Sequence, residues 1–276
     1  MKTVLITGAA NGIGLAISRS LYSLGWRVLM VDRSFSDCQA AADKISTCTG
    51  GEIHAFGCDL SDLSSLDHLS EIISAFLAKS CNSQLDVLIA NAGVWARHNK
   101  RTPFTIDPHL LLHCLSPLRL FENLKIHIRA AGGRVIFTGC SSHFFIRHAN
   151  EDDLFAKPKS SLRSYARSKL AANWLCLALK EEHGDISFYV ADPGIVFTDL
   201  APRNTSGLTR LLLRFFCRFG ISAAKASGTV VCLCQSAMPL KGWYFKDRKP
   251  LPDVCFNADL PTARRFLQLC REKLNV

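Results

Sequence analysis

Apolar residues along this chain fall into short runs, and the stretches between those runs alternate apolar and polar positions with a helical period. Three of these stretches, Ile13–Leu24, Leu63–Lys79 and Ser164–Glu182, have the spacing of amphipathic helices. The runs are rich in β-branched and aromatic residues and bounded by turn formers, so we predict strands at Thr3–Thr7, Arg27–Asp32, Glu52–Cys58, Leu85–Asn91, Arg134–Thr138, Ser187–Asp192 and Gly242–Phe245. This alternation predicts an α/β fold, a doubly wound parallel sheet of about seven strands with helices on both faces.

Length and composition fit one domain. The chain has 276 residues, 48% of them apolar, and no repeat, low-complexity segment or linker, so we predict a single domain over 1–276. Irregular segments are expected at 96–104, 143–163 and 198–210. A strand-like run follows Met1 directly, which predicts no targeting peptide, and no apolar run reaches the length of about 18 residues that a membrane span needs. Twelve scattered cysteines without a CxxC pair indicate reduced thiols and a cytoplasmic location.

The formal net charge is +10, and basic residues gather at 97–101, 157–169 and 209–219. No nucleic-acid recognition motif accompanies them, so no nucleic-acid partner is expected. One interpretation is a solvated basic surface, and another is attraction of an anionic cofactor or of a lipid surface. Peripheral contact with a membrane therefore stays open.

A glycine-rich turn separates the first predicted strand from the first helix. Gly8, Gly12 and Gly14 form a GxxxGxG pattern. Glycines there let the backbone turn tightly and approach a pyrophosphate, whose charge the helix N-terminus stabilises. A turn without a ligand is the alternative, but its position after the first strand of an alternating α/β chain favours a dinucleotide and a Rossmann-type sheet.

The ends of the next three strands fit the same site. Asp32 can accept bonds from both adenosine-ribose hydroxyls and would repel a 2′-phosphate, which favours NAD as cofactor over NADP. The neighbouring Arg33 could instead bind that phosphate, and Asp32 could instead cap the following helix. Asp59 is suited to the adenine amino group, and the small residues at 91–93 leave room for a ligand.

Tyr165 and Lys169 lie four positions apart in a predicted helix, so both side chains project from one face. A phenol is a poor acid or base at neutral pH, and we expect the ammonium of Lys169 to lower the pKa of Tyr165 toward the working range. Tyrosine and lysine also occur four positions apart by chance on surface helices, so this pair indicates catalysis only together with the other motifs.

These motifs together resemble the short-chain dehydrogenase/reductase family: TGxxxGxG at 7–14, Asp59, NAG at 91–93, YxxxK at 165–169 and DPGIVFTDL at 192–200. The helix SYARSKLAANWL and the C-terminal segment from 242 look most like the retinol-dehydrogenase-like branch. The resemblance implies an NAD(P)-dependent oxidoreductase in which Tyr165 exchanges a proton and Lys169 also holds the nicotinamide ribose. It implies cofactor contacts at Gly8, Asn11, Gly12, Ile13, Gly14, Asp32, Arg33, Asp59, Leu60, Asn91, Ala92, Gly93, Tyr165, Lys169, Pro193, Gly194, Val196 and Thr198.

Two positions depart from the family pattern. Cys140 replaces the serine that binds the substrate oxygen, and because a thiol is a weaker donor, Ser141 is the alternative if the loop shifts by one residue. His113 replaces an asparagine of the fourth helix, and it can hold a water, relay a proton by titrating near neutral pH, or only fill the space. No metal site is expected, because no carboxylate or second cysteine completes His109, His113 and Cys114.

Substrate-binding helices are expected at about 198–220, where apolar positions suit core packing, a pocket for a lipophilic substrate or a membrane surface. The favoured function is hydride transfer between the nicotinamide and a small hydrophobic alcohol or carbonyl substrate. The alternative is a member that keeps its dinucleotide but is catalytically weak or inactive, and acts as a sensor or interaction scaffold. The resemblance also implies a homodimer through the helices that contain His113 and Tyr165.

Overall fold

A computed structural model describes residues 1–79, 83–94, 106–146, 149–194, 196, 220–252 and 259–275 of the chain. Their strands are β1 (Thr3–Thr7), β2 (Arg27–Asp32), β3 (Glu52–Gly57), β4 (Val87–Ala90), β5 (Arg134–Thr138), β6 (Ser187–Asp192), β7 (Tyr244–Lys246) and β8 (Lys249–Pro250). They form one sheet in the order β3-β2-β1-β4-β5-β6-β7-β8. Neighbours are parallel except β7 and β8, which form an antiparallel hairpin.

Helices connect the strands. Those described are α1 (Gly12–Ser23), α2 (Phe35–Ser46), α3 (Leu63–Ala78), α4 (Pro108–Leu110), α5 (Ser116–Ala130), α6 (Glu151–Phe155), α7 (Ser161–Glu182), α8 (Ala223–Ala226), α9 (Gly228–Gln235) and α10 (Leu260–Leu274). A π turn at Leu111–Leu115 joins α4 to α5, and a 3-10 turn at Ser141–Phe145 follows β5. No helix in the described ranges is long and apolar enough to cross a bilayer.

The predicted doubly wound parallel sheet is confirmed, but it holds eight strands instead of about seven. The additional strand, β8, is two residues long, and Asp247 and Arg248 turn the chain back with φ of 49° and 64°. A strand this short cannot show the alternation of apolar and polar residues from which strands are predicted. The segment 143–163, predicted to be irregular, contains α6, which Asn150 and Asp153 start with reciprocal capping bonds. The other two segments predicted to be irregular, 96–104 and 198–210, lie outside the described residues.

β1 is fully buried and divides the core in two. Leu5 packs on the face covered by α3, α5, α7 and α10, whereas Val4 and Ile6 pack on the face covered by α1, α2 and α9. The chain leaves β1 for β2 on one side and later returns to β4 on the other. The carboxyl ends of β1 and β4 therefore border a crevice, which is where open α/β sheets bind ligands.

Candidate active site

The glycine-rich turn requires glycine for steric reasons. Gly8 and Gly12 have φ of +65° and +56°, and a Cβ on Gly8 would lie 2.8 Å from the Cα of Ala92. A Cβ on Gly14 would lie 2.1 Å from the carbonyl oxygen of Gly8. Asn11 precedes α1 without a side-chain cap, so α1 presents uncapped first-turn N–H groups beside this turn. This cradle fits a dinucleotide pyrophosphate, which these N–H groups and the helix dipole would stabilise.

Asp32, at the end of β2, binds the protein's own backbone. Its Oδ2 accepts from the N–H of Ala10 at 3.0 Å, and its Oδ1 accepts from the N–H of Arg33 at 2.8 Å. The carboxylate is half-buried and Arg33 is exposed. Asp32 therefore holds the glycine turn against β2, and its remaining lone pairs are available to ribose hydroxyls.

Asn91, which is predicted to lie against the cofactor, ties strand ends together through its side chain. Its Nδ2 donates to the carbonyl oxygens of Thr7 and Gly8 at 2.9 and 3.1 Å, and its Oδ1 accepts from the hydroxyl of Thr138 at 3.3 Å. The Oγ1 of Thr7 accepts from the N–H groups of Asn91 and Ala92, each at 3.1 Å. Thr7 begins the TGxxxGxG motif but was assigned no role from sequence, and Thr138 carried no sequence signal beyond ending a strand.

The remaining residues expected along the cofactor differ in exposure. Asp59 is exposed, and its Oδ1 accepts from the N–H and hydroxyl of Ser61 at 2.9 and 2.7 Å, whereas Leu60 is buried. Gly93 lies against His113, since a Cβ there would come within 3.4 Å of the imidazole Nε2. Val196 pairs with Ile221 as an isolated bridge, and Thr198 lies outside the described residues.

The structure brings Tyr165, Lys169 and Cys140 together. Cys140 follows β5, and its side chain shares a hydrogen bond with Tyr165 from α7. The Nζ of Lys169 lies 5.7 Å from the centre of the Tyr165 ring and donates to the carbonyl oxygen of Thr138 at 2.9 Å. Lys169 is only 5% exposed, so an ammonium is held inside the protein beside a phenol and a thiol.

The electrostatics of this cluster differ from the expectation. Burial raises the pKa of Tyr165 well above its ordinary value, and the negative charges of Cys140 and Asp192 and the bond to Cys140 raise it further. The predicted lowering of the Tyr165 pKa by Lys169 is therefore wrong. Burial also lowers the pKa of Lys169, against the charges of Cys140, Cys114 and Asp192. Tyr165 is a protonated phenol, ready to donate.

Ser141 makes its contacts with the next strand. Its hydroxyl donates to Oδ2 of Asp192 at 2.5 Å and accepts from Nζ of Lys246 at 3.2 Å. The same Oδ2 accepts from the hydroxyl of Tyr244 at 2.8 Å, and Oδ1 accepts from the N–H of Gly194 at 2.8 Å. Asp192 is 1% exposed, and Gly194 has φ of +76°. The carboxylate thus fixes the Pro-Gly turn, a role that sequence reasoning missed although Asp192 directly precedes Pro193.

His113 lies in the π turn and is neutral. Its Nε2 accepts from the N–H of Val94 at 3.3 Å, so the ring proton is on Nδ1, which contacts the hydroxyl of Ser168 at 2.8 Å. Burial, followed by the charges of Lys169 and His109, lowers the pKa of His113 well below its ordinary value. A proton relay that depends on titration of His113 near neutral pH is therefore not supported. The bond to Val94 instead supports a role for His113 in ordering the backbone after β4.

A family profile described as short chain dehydrogenase matches residues 2–150. The chain belongs to the short-chain dehydrogenase family. Retinol dehydrogenase 12 of Homo sapiens is 32% identical over 90% of this chain and 78% of its own length. Dehydrogenase/reductase SDR family member 13 of Bos taurus is 31% identical over 96% of this chain and 69% of its own length. These relatives place the protein among the retinol-dehydrogenase-like members, and it is an NAD(P)-dependent oxidoreductase.

A solved short-chain fold agrees with the architecture. The alcohol dehydrogenase of the archaeon Thermococcus sibiricus, crystallised with 5-hydroxy-NADP, superimposes with a TM-score of 0.69 at 22% identity. The match covers 89% of this chain and 95% of that chain. At this identity the likeness concerns the fold alone.

Proposed function

We propose that the protein transfers a hydride between NAD and a hydrophobic alcohol or carbonyl substrate, with Tyr165 exchanging the substrate proton. The observation that carries the proposal is the joint placement of the Tyr165 phenol, the Cys140 thiol and the Lys169 ammonium past the end of β5. When bound, the nicotinamide supplies or accepts the hydride. Lys169 holds a positive charge beside the phenol and would bind the nicotinamide ribose.

In carbonyl reduction, Tyr165 donates its proton to the developing alkoxide, and Cys140 is the second donor to that oxygen. The protonated state of the phenol favours this direction, because its raised pKa keeps the proton available at neutral pH. The glycine turn and α1 bind the pyrophosphate, and Asp32 binds the adenosine ribose and disfavours a 2′-phosphate. Asp59 and Leu60 would border the adenine, and Pro193 and Gly194 the nicotinamide.

A lipophilic substrate is supported by the apolar positions within 208–219 and by the names of the retinol dehydrogenase relatives. A cytoplasmic location and peripheral membrane contact belong to the same proposal. The nine cysteines in the described segments are all free thiols, which fits a reducing compartment. A homodimer through α5 and α7 would have to accommodate α10, which packs along α7.

The decisive experiment measures turnover of a panel of lipophilic aldehydes and ketones with NADH and NADPH. Wild type is compared with Tyr165→Phe and with the matched control Tyr22→Phe. Tyr22 is also a buried tyrosine, and its hydroxyl donates to the carbonyl oxygen of Cys48. We expect Tyr165→Phe to abolish turnover while NADH binding, followed by fluorescence, is retained. Equal turnover in wild type and Tyr165→Phe would remove the proposed mechanism.

The second candidate function is a dinucleotide sensor with little turnover. Cys140 favours it, because a thiol is a weaker donor than the hydroxyl that the family places there. Under this alternative, wild type binds NADH but is inert on every carbonyl, and Cys140→Ser gains turnover. Turnover by wild type would exclude it.

A further inference from the structure

Two imidazole rings hold the Tyr165 ring edge-on. The ring centres of His109 and Tyr165 are 5.8 Å apart with an interplanar angle of 87°, and those of His113 and Tyr165 are 5.4 Å apart at 89°. The two imidazoles lie 6.0 Å from each other. His109 is 0% exposed and His113 is 4% exposed, so both contacts are made inside the protein.

His109 is locked by a hydrogen-bonded chain that ends on a carboxylate. Its Nδ1 lies 2.6 Å from the hydroxyl of Ser164 and 3.3 Å from Oδ1 of Asp107, and the Ser164 hydroxyl donates to the same Oδ1 at 2.7 Å. Burial alone would raise the pKa of Asp107, but the bonds from His109 and Ser164 lower it, so the carboxylate is ionised and can only accept. Because Ser164 gives its single hydrogen to Asp107, His109 must donate from Nδ1.

His113 begins a second hydrogen-bonded chain, in which the donors and acceptors follow the same order. His113 donates from Nδ1 to Ser168, which donates to the carbonyl oxygen of Tyr165 at 2.7 Å. Both histidines therefore carry their proton on Nδ1, and each binds a serine 55 positions later in the chain. The two serines flank Tyr165 on α7, so the chains attach the helix to both imidazoles around this one residue.

We propose that Asp107, Ser164 and His109 are positioning residues for Tyr165, which fix the plane of the phenol ring and thereby the place of its hydroxyl. The inference rests on the proposed function of Tyr165. Rotation of the ring about its attachment to α7 would move the hydroxyl away from Cys140 and the substrate oxygen. Catalysis is sensitive to such shifts, since a displacement of about 1 Å can cost on the order of a hundredfold in rate.

The hydrogen-bonded chain is tested directly by the ring nitrogens. Long-range ¹H–¹⁵N spectra of the full-length protein distinguish Nδ1–H from Nε2–H imidazoles, and we expect both His109 and His113 to be Nδ1–H in the wild type. Ser164→Ala removes the nearer acceptor of His109 and leaves only Oδ1 of Asp107 at 3.3 Å, so the Nδ1–H population of His109 should fall. The tautomer of His113 should stay, because its chain through Ser168 is intact. An Nε2–H imidazole at His109 in the wild type overturns the proposal.

The positioning role is tested by kinetics of the same variant. We expect Ser164→Ala to lower kcat about tenfold or more, with KM for the carbonyl and NADH affinity close to wild type and an unfolding midpoint lowered no more than in Ser70→Ala. Ser70→Ala is the matched control, because Ser70 is also a buried, hydrogen-bonded serine but lies on α3. Its kcat should equal that of the wild type.

Two outcomes contradict the proposal. One is an altered His109 tautomer with unchanged kcat, which would mean that the hydrogen-bonded chain does not position Tyr165. The other is a parallel loss of kcat, NADH affinity and unfolding midpoint, which would mean general disruption. Tyr165→Phe, assayed alongside, separates these from failure of the proposed function: if that variant is fully active, the proton donor is wrongly assigned whatever Ser164→Ala does.

Discussion

The side chains of Tyr165 and Cys140 share a hydrogen bond between α7 and the end of β5. The thiol therefore acts on the phenol, in addition to its proposed role as a donor to the substrate oxygen. Burial is the main cause of the raised pKa of Tyr165, and the negative charge of Cys140 and this bond add to it. Exchanging the sulfur should change the pH at which the protein works.

Cys140→Ser should shift the pH dependence of turnover to lower pH. A serine hydroxyl carries no charge, so the contribution that the negative charge of Cys140 makes to the raised Tyr165 pKa is lost. The pKa of Tyr165 should fall, although burial keeps it above its ordinary value. In alcohol oxidation, which needs the phenolate, the rising limb of kcat against pH should move to lower pH. In carbonyl reduction, the falling limb should move the same way.

Cys48→Ser is the control for this shift, because Cys48 is an exposed thiol at the end of α2. Its profile should match that of the wild type. A Cys140→Ser profile that moves to higher pH would contradict the contribution of Cys140 to the raised pKa of Tyr165.

Asp32→Ser should change the cofactor preference from NADH toward NADPH. The serine hydroxyl can still accept from the N–H of Ala10, but the charge that opposes a 2′-phosphate is gone and Arg33 is exposed beside it. Hydrogen bonds to charged groups contribute about 1.5–3 kcal/mol, so the ratio of the two dissociation constants should change by about tenfold or more. Fluorescence titrations measure both constants, and Asp37→Ser in α2 is the charge-matched control. A wild type that already prefers NADPH would refute this assignment.

Thr7→Val should weaken both the fold and NADH binding. The hydroxyl of Thr7 accepts from the N–H groups of Asn91 and Ala92, which order the backbone at the end of β4. Valine has the same shape but no acceptor, and an unsatisfied buried donor costs about 1–3 kcal/mol. Urea unfolding should show a loss of that size, while Thr7→Ser should stay near the wild type. A loss in Thr7→Ser as large as that in Thr7→Val would contradict the assignment of the effect to the hydroxyl alone.

The features predicted from sequence are those that a local pattern specifies. Gly14 is required by its contact with the carbonyl oxygen of Gly8, six positions earlier, and Tyr165 and Lys169 share a face through helix geometry alone. The strands at β1, β2, β5 and β6 were predicted with their observed bounds, because each is buried on both faces and reads as a continuous apolar run.

The features that were missed depend on pairs distant in the chain. Ser164 and His109 are 55 positions apart, and Ser141 and Asp192 are 51 apart, so no periodicity reports their bonds. The same limit explains why the shift of the Tyr165 pKa was predicted in the wrong direction. Helical spacing shows that an ammonium lies near the phenol, but the burial that raises the phenol pKa appears only in the packed structure.

Arg271→Ala should destabilise the docking of α10. The guanidinium donates to Glu122 on α5 and to Glu182 at the end of α7, in both cases from Nη2 at 2.7 Å. The Glu122 side chain is 9% exposed, so removal of Arg271 leaves a buried carboxylate with Lys125. We expect a loss of about 2 kcal/mol in the free energy of unfolding at pH 7. Arg264→Ala on the same helix should lose less than about 0.5 kcal/mol, because its pair with Glu181 is 3.7 Å long and exposed.

The same variant should lose part of the acid sensitivity of the fold. Burial alone would raise the pKa of Glu122, but hydrogen bonds from Lys125 and Arg271 outweigh it, and the pKa in the folded protein lies below its ordinary value. A carboxyl with a depressed pKa stabilises the fold above its unfolded pKa, and this contribution disappears as the pH falls through the folded pKa. Between neutral pH and the acid range, wild type should therefore lose more stability than Arg271→Ala. Urea unfolding across that range measures the difference. If the free energy of unfolding changed with pH equally in the two proteins, a group other than Glu122 would be responsible for the acid sensitivity.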